Sequence, residues 1–303
     1  MAEARSVATV LVATDFSECA AFALEWAAHL ARLHGAKLVV HHALAPPQAA
    51  PAFPELVPYP AELHEAYRKA AGDRLEAAAE GARSGGLQVA VDLQVGPAVS
   101  TILMAAEKHG AKLVVTGTRG LSGIRHLLLG STAERLVQHS PLPVLSVHPG
   151  NRPPAQLARM LVPTDFSDDA GTALDAAIRI LAPQGARPEI VLFHAFHVPV
   201  EYTHLAGGFV LPDLARGALA EAREALERMA TPLREQGHEV TVSCREGYAP
   251  QAIELEARER GVDLVAMGTH GRSFLPHVVL GSTAERVVQH APCPVLTVRR
   301  TDD

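Results

Sequence analysis

The sequence predicts an α/β protein made of two tandem Rossmann-like, doubly wound domains, each a five-stranded parallel sheet flanked by helices. Three observations lead there. Short, continuous apolar runs alternate with segments of helical periodicity, the pattern of strands buried on both faces and joined by helical crossovers. Two of those runs lead into the same glycine pattern, GTRGLSGIRHLLLGST from Gly117 to Thr132 and GTHGRSFLPHVVLGST from Gly268 to Thr283. At 303 residues the chain has room for two domains of ordinary size, divided as 1–150 and 151–303.

In the first copy, Ala8 to Ala13 (ATVLVA) is a strand that ends in Thr14-Asp15-Phe16-Ser17. Ser17 is placed to cap a helix reaching about His34, with Ala20, Leu24, Ala27, Ala28 and Ala31 inward and Gly35 as its stop. Lys37 to Ala43 (KLVVHHA) is the second strand and completes a right-handed βαβ unit. Leu44 to Pro60 is too rich in proline for a helix interior or a central strand and reads as a long crossover loop. Ala61 to Arg83 has helical spacing, Leu87 to Val95 is the third strand, and Pro97 opens a helix to His109. Lys112 to Thr116 is the fourth strand and runs straight into Gly117; Ser131 to His139 is the last helix and Pro143 to Val147 the fifth strand.

Asn151 to Ala155 (NRPPA) punctuates the chain like a linker, and then the pattern restarts. MLVPTDFSDDA (Met160 to Ala170) repeats VLVATDFSECA (Val10 to Ala20), and EIVLFHAF (Glu189 to Phe196) answers KLVVHHAL (Lys37 to Leu44). Between Gly117–Val147 and Gly268–Val298 about 20 of 31 positions are identical, where unrelated segments would share roughly two. The chain is therefore an internal duplication. The second crossover loop, His197 to Asp213, keeps the length of the first and changes its side chains.

A net charge of −6 and the lack of a basic stripe exclude a general nucleic-acid or anionic-membrane binder. Cys19, Cys244 and Cys293 form no C-x-x-C pair and are odd in number, so neither a disulfide framework nor a zinc ribbon is indicated. The N-terminal apolar run is broken too early, by Asp15, for a secretory signal, and no run reaches the ~18 apolar residues of a membrane span. The expected setting is the cytoplasm, with no membrane and no nucleic-acid partner.

Both glycine stretches read G-x2-G-x9-G-S. Glycines just after a strand let the backbone turn sharply and approach a ligand, and the third opens a helix whose free N–H groups and dipole suit a phosphate. A doubly wound sheet binds ligands where the strand order reverses, between the first and fourth strands in the simplest arrangement. Asp15 and Asp165 end the first strands; Gly117 and Gly268 end the fourth. A carboxylate in that crevice suits ribose hydroxyls, while loop amides and the hydroxyls of Ser131, Thr132, Ser282 and Thr283 suit phosphates. The composite guest is a nucleotide.

This constellation resembles the ATP-binding branch of the universal stress protein family, twice over and along essentially the whole chain. TDFS after the first strand, the second-strand ending His42-Ala43 or His194-Ala195, the glycine pattern and the closing PLPVLSV or PCPVLTV carry the resemblance. It implies that Asp15 and Asp165 contact the nucleoside and that Ala43 and Ala195 offer backbone groups to adenine. It further implies that Gly117, Gly120, Gly130, Ser131 and Thr132, and again Gly268, Gly271, Gly281, Ser282 and Thr283, hold the phosphates of ATP. Mg2+ would come with those phosphates, since no set of residues forms a protein cage for it. The resemblance also implies an intrachain pseudo-dimer through the fifth strands, and leaves open both further association of two chains and the identity of protein partners.

The functional reading is an ATP-binding stress-response protein in which occupancy of two sites regulates conformation or partner binding. A slow ATPase or phosphotransferase is the alternative, disfavoured because the loops lack the lysine of G-x4-G-K-[ST]; a scaffold that needs no nucleotide is the other. Asp15 and Asp165 could serve only as helix-start residues, and the histidines, chiefly His41 and His42 or His194, His197 and His204, match no zinc spacing. His139 and His290 read as structural, and Cys293, which replaces Leu142, as packing. Within the loops Arg119 faces His270, Arg125 faces Pro276 and Gly123 faces Phe274, so the first site is expected to bind more tightly.

Overall fold

The structure is a computed structural model describing residues 7–45, 61–120, 129–181, 187–197, 211–271 and 280–300. By contact the chain forms two units, Met1–Leu136 with Val147–Arg152, and Val137–Ser146 with Pro153–Asp303.

The first unit begins with β1 (Thr9–Ala13), α1 (Glu18–His34) and β2 (Lys37–Leu44), followed by α2 (Ala61–Ser84), β3 (Val89–Val95), α3 (Ala98–Lys108) and β4 (Leu113–Gly117). Its strand order is β3-β2-β1-β4, and the β1 pairings with β2 and β4 are parallel, as is β2 with β3. The order reverses at β1: the chain moves to one side for β2 and β3, then returns to the other for β4. Val10, Leu11, Val12, Leu113, Val114 and Val115 are wholly buried, as continuous apolar strands covered on both faces must be.

Helix α1 shows how the sequence sets its own limits. The Ser17 hydroxyl accepts from Ala20 N–H at 3.2 Å, and Gly35 closes the helix at φ 61°, a left-handed conformation that costs glycine little. Its buried face includes Ala20, Ala27, Ala28 and Ala31 as expected and is wider, with Cys19, Ala23, Trp26 and Leu30 also inside and Leu24 half-buried. Trp26 is 1% exposed, and its indole N–H donates to Asn151 O at 3.0 Å, tying the helix to the 147–152 segment. The other boundaries shift by one or two residues; Pro97, for example, is the N-cap of α3 and lies just outside it.

Helix α4 (Ser131–His139) and strand β5 (Val144–Val147) close the first copy. The second copy runs β6 (Arg159–Pro163), α5 (Asp168–Leu181), β7 (Glu189–Phe196), α6 (Leu211–Glu235), β8 (Val240–Glu246), α7 (Ala249–Arg260), β9 (Leu264–Gly268), α8 (Ser282–His290) and β10 (Val295–Val298). The second unit has the strand order β5-β10-β9-β6-β7-β8, in which every pairing is parallel except β5 with β10. That antiparallel pair sets Val144 opposite Thr297 and Ser146 opposite Val295, and the Thr297 hydroxyl donates to Val144 O at 3.2 Å. The parallel pairing predicted within a copy holds along β6 to β10, and the antiparallel pair sets the last strand of one copy beside the last strand of the other. The crossover loops fall largely outside the described residues.

Replacing Trp26 with Phe should keep most of the apolar burial and remove the bond to the Asn151 carbonyl. The expected cost is about 0.5–1.5 kcal/mol of unfolding free energy, read from urea denaturation followed by circular dichroism.

Candidate functional site

Each copy has a cavity at the carboxyl ends of its strands, of about 290 Å³ in the first and about 530 Å³ in the second. Ligand pockets typically run from ~300 to ~1,000 Å³. All seven residues expected at the first site, Asp15, Ala43, Gly117, Gly120, Gly130, Ser131 and Thr132, line the first cavity. Asp165, Ala195, Gly268, Gly271, Gly281, Ser282 and Thr283 line the second.

The T-D-F-S turn positions the acid. Thr14 Oγ1 accepts from Phe16 N–H and Asp15 Oδ1 from Ser17 N–H, both at 3.0 Å. Thr164 and Asp165 repeat the arrangement at 3.0 and 3.1 Å, and Ser167 Oγ adds a bond to Asp165 Oδ1. One carboxylate oxygen therefore does the helix-start work that the residue type alone would suggest. The other lies against the glycine loop: a Cβ on Gly120 would stand 2.7 Å from Asp15 Oδ2, and one on Gly271 would stand 2.5 Å from Asp165 Oδ2.

The remaining glycines have separate reasons. A Cβ on Gly117 would meet Cys19 Sγ at 2.9 Å and the Cys19 backbone at 3.1 Å, and one on Gly268 the Asp169 backbone at 3.2 Å, so the first glycine lets the first turn of α1 or α5 approach the fourth strand. Gly130 N–H donates to Thr118 O at 2.7 Å and Gly281 N–H to Thr269 O at 2.8 Å, which clamps the two ends of each loop together. Gly281 caps α8 without a side-chain hydrogen bond, leaving first-turn amides of that helix unclaimed by a capping group. Arg125, Gly123, Pro276 and Phe274 lie outside the described residues.

The second strand supplies the opposite wall. The β1–β2 register stops at Ala13 with His41, and Thr14 N–H donates to His41 O at 2.9 Å. β2 then runs on to Leu44, so Ala43 borders the cavity with no β1 residue beside it. Ala195 has the same place beyond the Pro163–Phe193 pair.

Sequence reasoning did not foresee what stands behind this wall. His41, wholly buried, lines the first cavity with Nδ1 at 3.1 Å from Asp92 Oδ1 and Nε2 at 3.3 Å from Thr101 Oγ1. Asp92 also accepts from Lys108 Nζ at 2.6 Å, His109 Nε2 at 2.9 Å and Gln94 Nε2 at 2.7 Å. Burial pushes the Asp92 carboxyl up, but these hydrogen bonds outweigh it and hold it well below the ordinary carboxylate range. Burial also lowers His41, against the pull of Asp92, so the ring is held neutral. In the second copy Phe193 and Ser243 replace His41 and Asp92, and the buried acid moves to helix α7. Glu256, which burial raises, is held low by Ser243, Arg260 and Arg245. A repeat-by-repeat comparison of the strand partners would have exposed this exchange.

The comparisons with known proteins bear on the family and the fold. The universal stress protein family matches residues 7–148 and again 157–299. The chain belongs to the universal stress protein family. A universal stress protein of Mycolicibacterium smegmatis is 28% identical over 305 residues, covering 96% of both chains. One of Bacillus subtilis is 33% identical over 147 residues, 46% of this chain and 98% of its own. A crystal structure of a universal stress protein from Archaeoglobus fulgidus shares the fold with a TM-score of 0.71, at 23% identity, over 97% of this chain and 99% of that one. This stress protein has no membrane-crossing helix and no cluster of metal-ligating side chains among its described residues.

Two tests follow for this universal stress protein. Gly120→Val and Gly271→Val each force a side chain onto the facing carboxylate, so each variant should displace the turn of its own copy, read as shifted Asp15–Ser17 or Asp165–Ser167 amide resonances with those of the other copy unmoved. Asp92→Ala should cost about 1–3 kcal/mol at neutral pH, because it leaves buried His41 without its acceptor while the exposed Lys108 turns to water. Asp92 and His41 both have lowered values when folded, so the unfolded chain binds more protons as pH falls. Wild-type stability should therefore decline first below the ordinary histidine value of 6.5 and again below the carboxylate value of 3.8. The gap to the variant should narrow with it in denaturant titrations across pH.

Proposed function

We propose that this stress protein binds ATP in both cavities and that occupancy regulates its shape or its hold on protein partners in the cytoplasm. The observation that carries the reading is the convergence, in each copy, of the strand-end acid and the glycine loop on one cavity beside the overshooting second strand. Backbone groups alternate sides along a strand, so Ala43 directs its N–H and C=O the same way as His41, toward the place β1 has vacated. One donor beside one acceptor matches adenine's Watson–Crick edge, which offers N1 as acceptor and N6 as donor. Asp15 lies near enough to take ribose hydroxyls, and the helix that opens at Ser131 points its amides at the phosphates. Ala195, Asp165 and Ser282 repeat the set.

Mg2+ bound to the phosphates would neutralise part of their charge; the protein residues described supply no separate cage for it. Arg119 lines the first cavity where His270 lines the second. An arginine contact to phosphate, when desolvated, is worth about 1.5–3 kcal/mol, which favours the first site by roughly tenfold or more.

Mass spectrometry of the purified protein should show a co-purifying adenine nucleotide. ATP at ~100 times its dissociation constant should stabilise the fold by about 2.7 kcal/mol in thermal unfolding, with ADP and AMP graded below it and unrelated anions inert. The Gly271→Val chain, which keeps the first site, should bind ATP more tightly than the Gly120→Val chain. A protein that no nucleotide stabilises acts as a scaffold instead, and rapid phosphate release on binding would make it an enzyme.

A further inference from the structure

One constellation is repeated in both cavities and has no part in the contacts assigned so far. His42 Nδ1 lies 2.7 Å from Thr14 O, and His194 Nδ1 lies 2.7 Å from Thr164 O. A carbonyl oxygen only accepts, so Nδ1 must carry the proton in both rings. The neutral ring then has a lone pair on Nε2 and is an acceptor there.

The rest of the surroundings fix the ring in place. Phe16 packs on His42 with ring centroids 4.4 Å apart and planes at 39°, and Phe166 on His194 at 4.6 Å and 38°. Both phenylalanines hold positive φ, 64° and 63°, a backbone state that bulky residues rarely adopt. In the first copy the Arg74 guanidinium lies over the Phe16 ring, 4.3 Å from its centroid. Nε2 of neither histidine has a hydrogen bond among the described residues, and neither is a buried unpartnered atom. Both histidines are among the residues that line their cavities. A strained aromatic, a pinned tautomer and an accessible acceptor recur at the same two positions while the buried acids behind the wall have exchanged places.

We infer that His42 and His194 are ligand-selecting residues, each accepting at Nε2 a hydrogen bond from an O–H or N–H donor on the nucleoside part of the bound nucleotide. This rests on the nucleotide reading and adds to it. Thr14 and Thr164 set the tautomer through their carbonyls, and Phe16 and Phe166 set the ring's direction. The donor is a ribose hydroxyl or the exocyclic amine of the base, and the two are separable.

The experiment compares ATP with 2′-deoxy-ATP, 3′-deoxy-ATP and N6,N6-dimethyl-ATP by calorimetric titration of the full chain and of His42→Asn/His194→Asn. Asparagine keeps an N–H at the Nδ1 position for the threonine carbonyl and has nothing at the Nε2 position. In the wild type, the analogue lacking the read donor should bind about fivefold more weakly than ATP. In the Asn variant ATP should weaken by that factor and the difference between the two ligands should vanish. A penalty that persists unchanged in the variant, or wild-type affinities equal for all four ligands, overturns the inference while leaving nucleotide binding intact. Absence of ATP binding to the wild type overturns both. Should the variant fail to fold, nitrogen-15 spectra of wild-type histidines decide: ATP must move the two lone-pair Nε2 resonances upfield, and the analogue without the donor must leave them in place.

Discussion

The architecture of each cavity depends on one close approach, that of a carboxylate oxygen to a glycine. Asp15 Oδ2 and Asp165 Oδ2 occupy the space a Cβ would need on Gly120 and Gly271. The contact requires the first strand to end where it does, the T-D-F-S turn to spend the other oxygen on Ser17 or Ser167, and Gly120 or Gly271, just past the fourth strand, to come up against the acid. With the loop ends clamped by the Thr118–Gly130 and Thr269–Gly281 bonds, the third glycine and its helix have one place to go. A negative group set beside backbone amides gives each cavity two electrostatic ends, one suited to hydroxyl or amine donors and one to phosphate oxygens.

Most of this was legible in the residue order. Apolar runs buried on both faces, a capping serine, a terminal glycine and a duplicated glycine pattern each have a local physical meaning, and the elements stand within a residue or two of where those meanings put them. What the sequence hid was set by distant partners. The inward face of α1 takes in Trp26, whose indole answers a carbonyl far along the chain, and spacing within the helix carries no trace of that bond. The split duty of Asp15 needed coordinates as well, because a helix-start residue and a ligand-facing one have the same letter.

The two copies show which parts of the scaffold tolerate exchange. Behind the second strand, one copy buries an aspartate from a strand among bases that come mostly from a helix, and the other buries a glutamate from a helix with an arginine from a strand. Both leave a satisfied acid in the same layer. Burial of a charge there demands partners but is indifferent to which element supplies them. In the cavities the acid, the glycines and the histidine on the threonine carbonyl recur unchanged, while His41 and Arg119 give way to Phe193 and His270.

Strand β5 carries a consequence for synthesis. Val144 bonds Thr297, 153 positions later in the chain. During translation β5 leaves the ribosome long before its antiparallel neighbour exists, with a row of backbone donors and acceptors open on that side. Contacts so remote in sequence form late and slow the final step of folding. Until then the nascent first copy displays an apolar edge of the kind that recruits chaperones or pairs with the wrong strand, so a ribosome stalled between the copies would release the most aggregation-prone form of this protein.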